Sequence, residues 1–234
     1  MREHVLAYGG FRGAGQIAHR VLPLNVAVLV IDLAGGARTV TGPSSGPVLS
    51  RDVRWGFGVT VAFRPAGVRA LLGVPMPELA GRSVPLADLV GSRESSLVTR
   101  LASAPGWGSR FAILDSWLIA RSSDTSDLSE MWVMEAWRRL QRGPTRVGTV
   151  ATSLGVSRRR LESTFQRRIG LTPGTVARVA RFQRATDMLT MGTHLPRLAL
   201  DCGYADQPHL TRETKALSGL TPTELRRALH RAMG

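Results

Sequence analysis

Cysteine is almost absent: the chain of 234 residues has one, Cys202. A single thiol closes no internal disulfide, which excludes a disulfide-stapled scaffold and leaves a small buried core residue as its expected role. The histidines, His4, His19, His194, His209 and His230, show no metal-ligand spacing, so neither a metal nor a cofactor is expected. Long apolar runs are missing as well. The longest, VAVLVI at Val26 to Ile31, is bounded by Asn25 and Asp32 and falls far short of the ~20 residues that a membrane span needs. The first residues lack the charged-then-apolar pattern of a signal peptide. These absences together predict a cytoplasmic protein with no membrane partner.

Acidic residues are the next shortage. There are 17 against 31 basic ones, a net charge of +14, and the excess is uneven. Residues 1–127 carry 13 basic and 9 acidic side chains, whereas residues 128–234 carry 18 and 8. A basic C-terminal half predicts a polyanionic partner, most often nucleic acid. All the basic residues but Lys215 are arginine, so compositional bias contributes to the excess.

The two halves also differ in pattern. Residues 1–64 read as β-rich. NVAVLVIDL (Asn25 to Leu33) has the continuous apolar character of a buried strand, and GFGVTVAF (Gly56 to Phe63) alternates with period two. GGARTVTGPSSGP (Gly35 to Pro47) and GFRGAG (Gly10 to Gly15) read as loop and turn. RPAG (Arg64 to Gly67) ends a strand and starts a helix. Helical patterns follow in AGVRALLG, SSLVTRLASA and GSRFAILDSWLIARS, and those between Ser95 and Arg121 offer a surface for self-association. Trp55, Phe57, Trp107 and Trp117 either line an apolar pocket or pack a core. SSDTSD (Ser122 to Asp127) is the candidate linker, and beyond it every segment reads as helix. The fold class is therefore α+β: an N-terminal β-rich domain with appended helices over 1–121, a linker at 122–128, and an all-α domain over 129–234.

That all-α half repeats itself. Gly-Leu-Thr-Pro occurs at Gly170 to Pro173 and again at Gly219 to Pro222. The stretches before it, VATSLGVSRRRLESTFQRRIGLTP and LALDCGYADQPHLTRETKALSGLTP, share a frame. A short helix runs into a glycine (Gly155, Gly203), a polar residue caps a second helix (Ser157, Asp206), and another glycine stops it. Thr172 with Pro173, and Thr221 with Glu224 in a capping box, then start the next helix. Leu161, Phe165 and Ile169 make the buried face in the first copy, and Leu210 and Leu217 face inward in the second. Each copy is a helix-turn-helix, at about 146–170 and 194–219, joined by a linker helix at 173–191. A helix of that length spans ~27 Å, which lets two reading helices approach adjacent major grooves ~34 Å apart on one side of a duplex.

These motifs, with RFQRATDML (Arg181 to Leu189) in the linker helix, resemble the DNA-binding domain of the AraC/XylS family of transcription regulators over residues 130–229. VTVAFRPAGVRALLGVPMPELAGRSVPLADLVG (Val59 to Gly91) resembles the sensor-like domain attached to many actinobacterial members. The resemblance implies base contacts from Arg159, Glu162 and Ser163 in the first unit and from Gln207, His209, Thr211 and Arg212 in the second. Arginine suits guanine, glutamine adenine, and glutamate accepts from cytosine. Arg158, Arg160, Gln166 and Arg167 are expected on phosphates. Thr214 and Leu225 stand where family members often carry an aromatic residue, which predicts looser packing in the second unit.

The expected function is a sequence-specific transcription regulator and not an enzyme. Its expected partner is double-stranded DNA. A small-molecule effector, a second copy of the chain and, were it an activator, RNA polymerase are further candidates. The main rival is a sequence-indifferent architectural DNA binder, against which Glu162 and Gln207 on the reading faces argue. A repair alkyltransferase would need a reactive cysteine in the N-terminal half, and residues 1–127 have none.

Overall fold

A computed structural model describes residues 3–13, 20–49, 56–122 and 131–233. Two stretches of alternating or wholly apolar residues form the middle of an antiparallel sheet: β3 (Ala27–Asp32) and β6 (Phe57–Phe63). Beside β6 runs β1 (Val5–Arg12), and beyond β3 come β4 (Arg38–Thr41) and β7 (Ser83–Pro85), in the order β1-β6-β3-β4-β7. A separate two-stranded piece pairs β2 (Arg20–Val21) with β5 (Val48–Leu49). Cross-strand register puts Leu29 against Val61 and Ile31 against Val59, so alternate residues of each strand share one face and are buried there.

Helices cover that face. They are α1 (Pro65–Leu72), α2 (Met76–Leu79), α3 (Leu86–Val90), α4 (Arg93–Ser103) and α5 (Trp107–Ile119). Pro65 starts α1 at the end of β6, as the RPAG stretch predicts. Two expectations are corrected. Arg38–Thr41, inside the stretch read as a loop, is strand β4, because pairing on both sides outweighs the surrounding glycines and prolines. Gly10 to Arg12, read as a turn, continues β1 along β6, where a glycine at the sheet edge is tolerated. Trp55 and most of the expected linker lie outside the described residues.

The C-terminal half comprises α6 (Met131–Arg142), α7 (Val147–Ser153), α8 (Arg158–Ile169), α9 (Pro173–Thr190), α10 (Leu195–Asp201), α11 (Gln207–Ser218) and α12 (Pro222–Met233). Ser157, Thr172 and Asp206 each accept the expected capping hydrogen bond, from the amides of Arg160, Thr175 and His209. At the capping box the Thr221 amide donates to Glu224 at 2.8 Å and the Glu224 amide returns to the Thr221 hydroxyl at 3.4 Å.

The apolar interior follows a different division from the chain. One cluster runs without a break from Val5 through the sheet, α1 and α4 to Leu161, Phe165, Ile169 and Val176. The second unit, from Val179 to Leu225, has a cluster of its own. Polar contacts reinforce the first. The buried Asn25 amide donates to the Val176 carbonyl of α9 at 2.8 Å, and the Trp137 indole donates to the Asn25 carbonyl at 3.3 Å. α2 packs on α8, and Gly170 is where they meet. Its φ of +82° is left-handed, and a Cβ there would lie 2.7 Å from the Ala80 Cβ and 2.9 Å from the Pro77 Cα. Glycine is needed at this point twice over, for conformation and for space.

Candidate nucleic-acid interface

In the first unit α8 buries Leu161, Phe165 and Ile169 and turns the rest of its surface outward. Arg158, Arg159, Arg160, Ser163, Gln166 and Arg167 are exposed and Glu162 is half-buried. Several of these side chains are already engaged. Arg158 Nε lies 2.8 Å from Glu162 Oε1, so the acid expected to read a base is held by its neighbour one turn back. The Arg160 guanidinium stands 5.5 Å from the Trp132 ring centroid, drawn toward α6. Arg167 reaches the Thr164 hydroxyl at 3.4 Å and Gln166 reaches the Gly170 carbonyl at 3.4 Å. The Ser163 hydroxyl donates to the Arg160 carbonyl at 3.1 Å. The Arg159 side chain makes no hydrogen bond, ion pair or ring contact among the described residues.

In the second unit α11 exposes Gln207 and Arg212 and leaves His209 and Thr211 half-buried. Arg212, like Arg159, is uncommitted among the described residues. His209 is oriented: its Nδ1 accepts from the Ala205 amide at 3.2 Å, and its ring meets Tyr204 edge-on at 5.4 Å. With Nδ1 occupied as acceptor, Nε2 is left as a donor toward a base.

The sequence motifs do not point to a clamp that fixes α11 on the linker helix. Arg178 Nε is 3.0 Å from both carboxylate oxygens of Glu213, and Arg181 adds a contact at 3.3 Å. Burial by itself would push the Glu213 carboxyl up, but the hydrogen bonds and charges of Arg178 and Arg181 outweigh it and hold the group below the usual glutamate range. Arg181 also covers the Tyr204 ring at 4.8 Å. Burial, countered in part by the Arg181 charge, leaves the Tyr204 hydroxyl pushed up to about 12. The one available signal was that Glu213 is the only acid in α11, set among arginines of α9.

The expected base-reading side chains thus lie on the outer surfaces of two capped helices, each preceded by a short helix and a glycine turn. Residues 150–228 match the family model described as a helix-turn-helix domain. This stretch is an AraC-type helix-turn-helix domain. An AraC-type regulator from Chromobacterium violaceum is 26% identical over 44% of this chain and 95% of its own, with a TM-score of 0.40. A probable AraC family regulator from Rhodopseudomonas palustris is 25% identical over 44% and 97%, at 0.36. A variant of ToxT from Vibrio cholerae shares the fold along the length of the chain: 94% of this chain and 96% of that one align at a TM-score of 0.51, with 11% identity. Among curated proteins nothing matches the chain. The protein is a sequence-specific DNA-binding transcription regulator whose AraC-type domain follows a β-sheet domain. No described helix is long and apolar enough to cross a membrane.

Proposed function

We propose that this regulator reads bases chiefly with Arg159 in the first unit and with Gln207, His209 and Arg212 in the second, and that its N-terminal domain makes the binding respond to a small molecule. The observation that carries the reading assignment is the contrast in commitment. Among eleven side chains expected on DNA, Arg159 and Arg212 are exposed and uncommitted on opposite units, while Arg158, Arg160 and Arg167 are tethered within the protein. An arginine free of internal partners keeps both prongs of its fork for guanine. Glu162 and Ser163 join it once DNA displaces their local partners, and Thr211 offers a hydroxyl and a methyl. Arg158, Arg160, Gln166 and Arg167 hold phosphates.

The chain in this reading binds and does not turn over a substrate. RNA polymerase and a second copy of the chain are partners only if it activates and self-associates, and the helices α4 and α5 offer the surface for the latter. The test is competition on the selected operator. Arg159→Ala should relax base preference at one position of the first half-site by ~1–3 kcal/mol. Arg167→Ala should weaken binding to all duplexes alike and flatten the salt dependence. Random duplex competing as well as the operator would favour the architectural alternative, and two silent variants would remove the helix assignment.

A further inference from the structure

Where β1 and β6 end together, the sheet carries a positive and aromatic cluster that DNA reading does not use. Arg12 and Phe57 are cross-strand partners there. The Phe57 ring has two guanidiniums over it, Arg110 at 4.8 Å and Arg12 at 5.1 Å from its centroid. Trp107 stands 5.2 Å from Phe57 and 5.4 Å from the Arg110 guanidinium. Its ring lies against Gly10, where a Cβ would come within 2.5 Å of it, so the glycine in the strand makes room for the indole. An open cleft of about 400 Å³ is lined by Arg12, Gly13, Gly56 and Phe57.

Among the described residues the charges here are unbalanced. Arg110 is only 8% exposed, and its Nε donates to the Leu101 carbonyl at 3.1 Å. No described carboxylate lies within 4 Å of Arg110 or Arg12. A buried guanidinium without a counter-charge is costly, and two like charges around one ring repel. Helix α5 begins at Trp107 with no side-chain cap and no acid in its first turn, so the positive end of its dipole adds to the field. The nearby acids are already engaged. Asp32 accepts the amides of Ala34, Gly36 and Gly56, and Asp115 accepts the Tyr8 hydroxyl at 2.5 Å.

We propose that this cluster is the effector site, and that its ligand is a small carboxylate with a flat apolar body. The carboxylate pairs with Arg12 at the cleft, in the field of Arg110 and of the start of α5, and the flat body lies against Phe57. Two arginines select an anion, and the ring selects a planar apolar group over a hydrated ion such as phosphate. The proposal rests on the reading that the N-terminal domain answers to a small molecule.

The test uses the full-length protein with phenylacetate, 2-naphthoate and indole-3-acetate at millimolar concentration, each beside its primary amide, and inorganic phosphate as a further comparator. Thermal melting and tryptophan fluorescence are the readouts. At least one acid should raise the melting temperature and change the fluorescence while its amide does not. Arg12 is exposed, so Arg12→Gln should fold and lose the response by at least about tenfold in apparent affinity, with Arg12→Lys retaining part of it. Silence from every acid, an equal response to the amide or to phosphate, or a response that survives Arg12→Gln would overturn the site. DNA selection on the same preparation separates the two claims. A selected operator without an acid response removes the site alone, and an acid response without DNA selection keeps the site and removes the regulator.

Discussion

The two helix-turn-helix units share a frame but are anchored by different physics. The positions that hold Leu161, Phe165 and Ile169 in α8 hold Leu210, Thr214 and Ser218 in α11. Phe165 and Ile169 root the first reading helix in an apolar core that continues into the sheet domain. In the second, the Thr214 hydroxyl is buried with no partner among the described residues, and the Ser218 hydroxyl turns back to the Thr214 carbonyl at 2.7 Å. α11 is instead seated through Leu210 and Leu217 in the second unit's own apolar cluster and tied to α9 by Glu213 between Arg178 and Arg181. The first helix, α8, is therefore held by burial, which salt hardly touches. The second adds to a separate core a partly exposed charge clamp, which salt and acid weaken. The unit in contact with the N-terminal domain is the one that shares its core.

The largest effect expected from this contrast is at Phe165. Phe165→Ala should cost ~3–5 kcal/mol and lower the melting of both halves together, because they share one core. Thr214→Val at the matching place should do the reverse, stabilising by ~1 kcal/mol as it removes an orphan hydroxyl, and a denaturant series on both variants checks the sign. Next comes the domain contact. Gly170→Ala should cost ~2–4 kcal/mol, from left-handed backbone and from the clash with Pro77 and Ala80, and Ala80→Gly should recover part of it in a double-mutant cycle.

A smaller effect is the response to pH. The folded Glu213 carboxyl lies below its unfolded value, so its contribution to stability is complete above ~4.3 and fades as pH falls through the lower, folded value. Acid should thus loosen α11 before α8. Amide exchange followed below pH 4.3 would show α11 losing protection first, and in Glu213→Gln that step should vanish.

The helical frame was legible because its signals are local. Ser157, Thr172 and Asp206 are caps, Gly170 and Gly219 are stops, and each acts within a turn of its own position. The helix faces that carry the proposed DNA contacts were legible for the same reason, as the outer side of a helix whose inner side is apolar. Their commitments were not: nothing in the spacing says that Arg160 leans on Trp132. The clamp escaped because Glu213 and its arginines are 32 and 35 residues apart on different helices. The contact of α2 with α8 joins segments still farther apart. β4 was obscured by its neighbours, since four strand residues lie between Gly35-Gly36 and Gly42-Pro43.

If both units read DNA, the second depends on Glu213 to hold α11 in place. The most direct test is selection of duplexes from a random library by the full-length protein, wild type beside Glu213→Gln. The wild type should select a site with two halves about one helical turn apart, of which the variant keeps the first and relaxes the second. No enrichment by the wild type, or loss of both halves together in the variant, would contradict it.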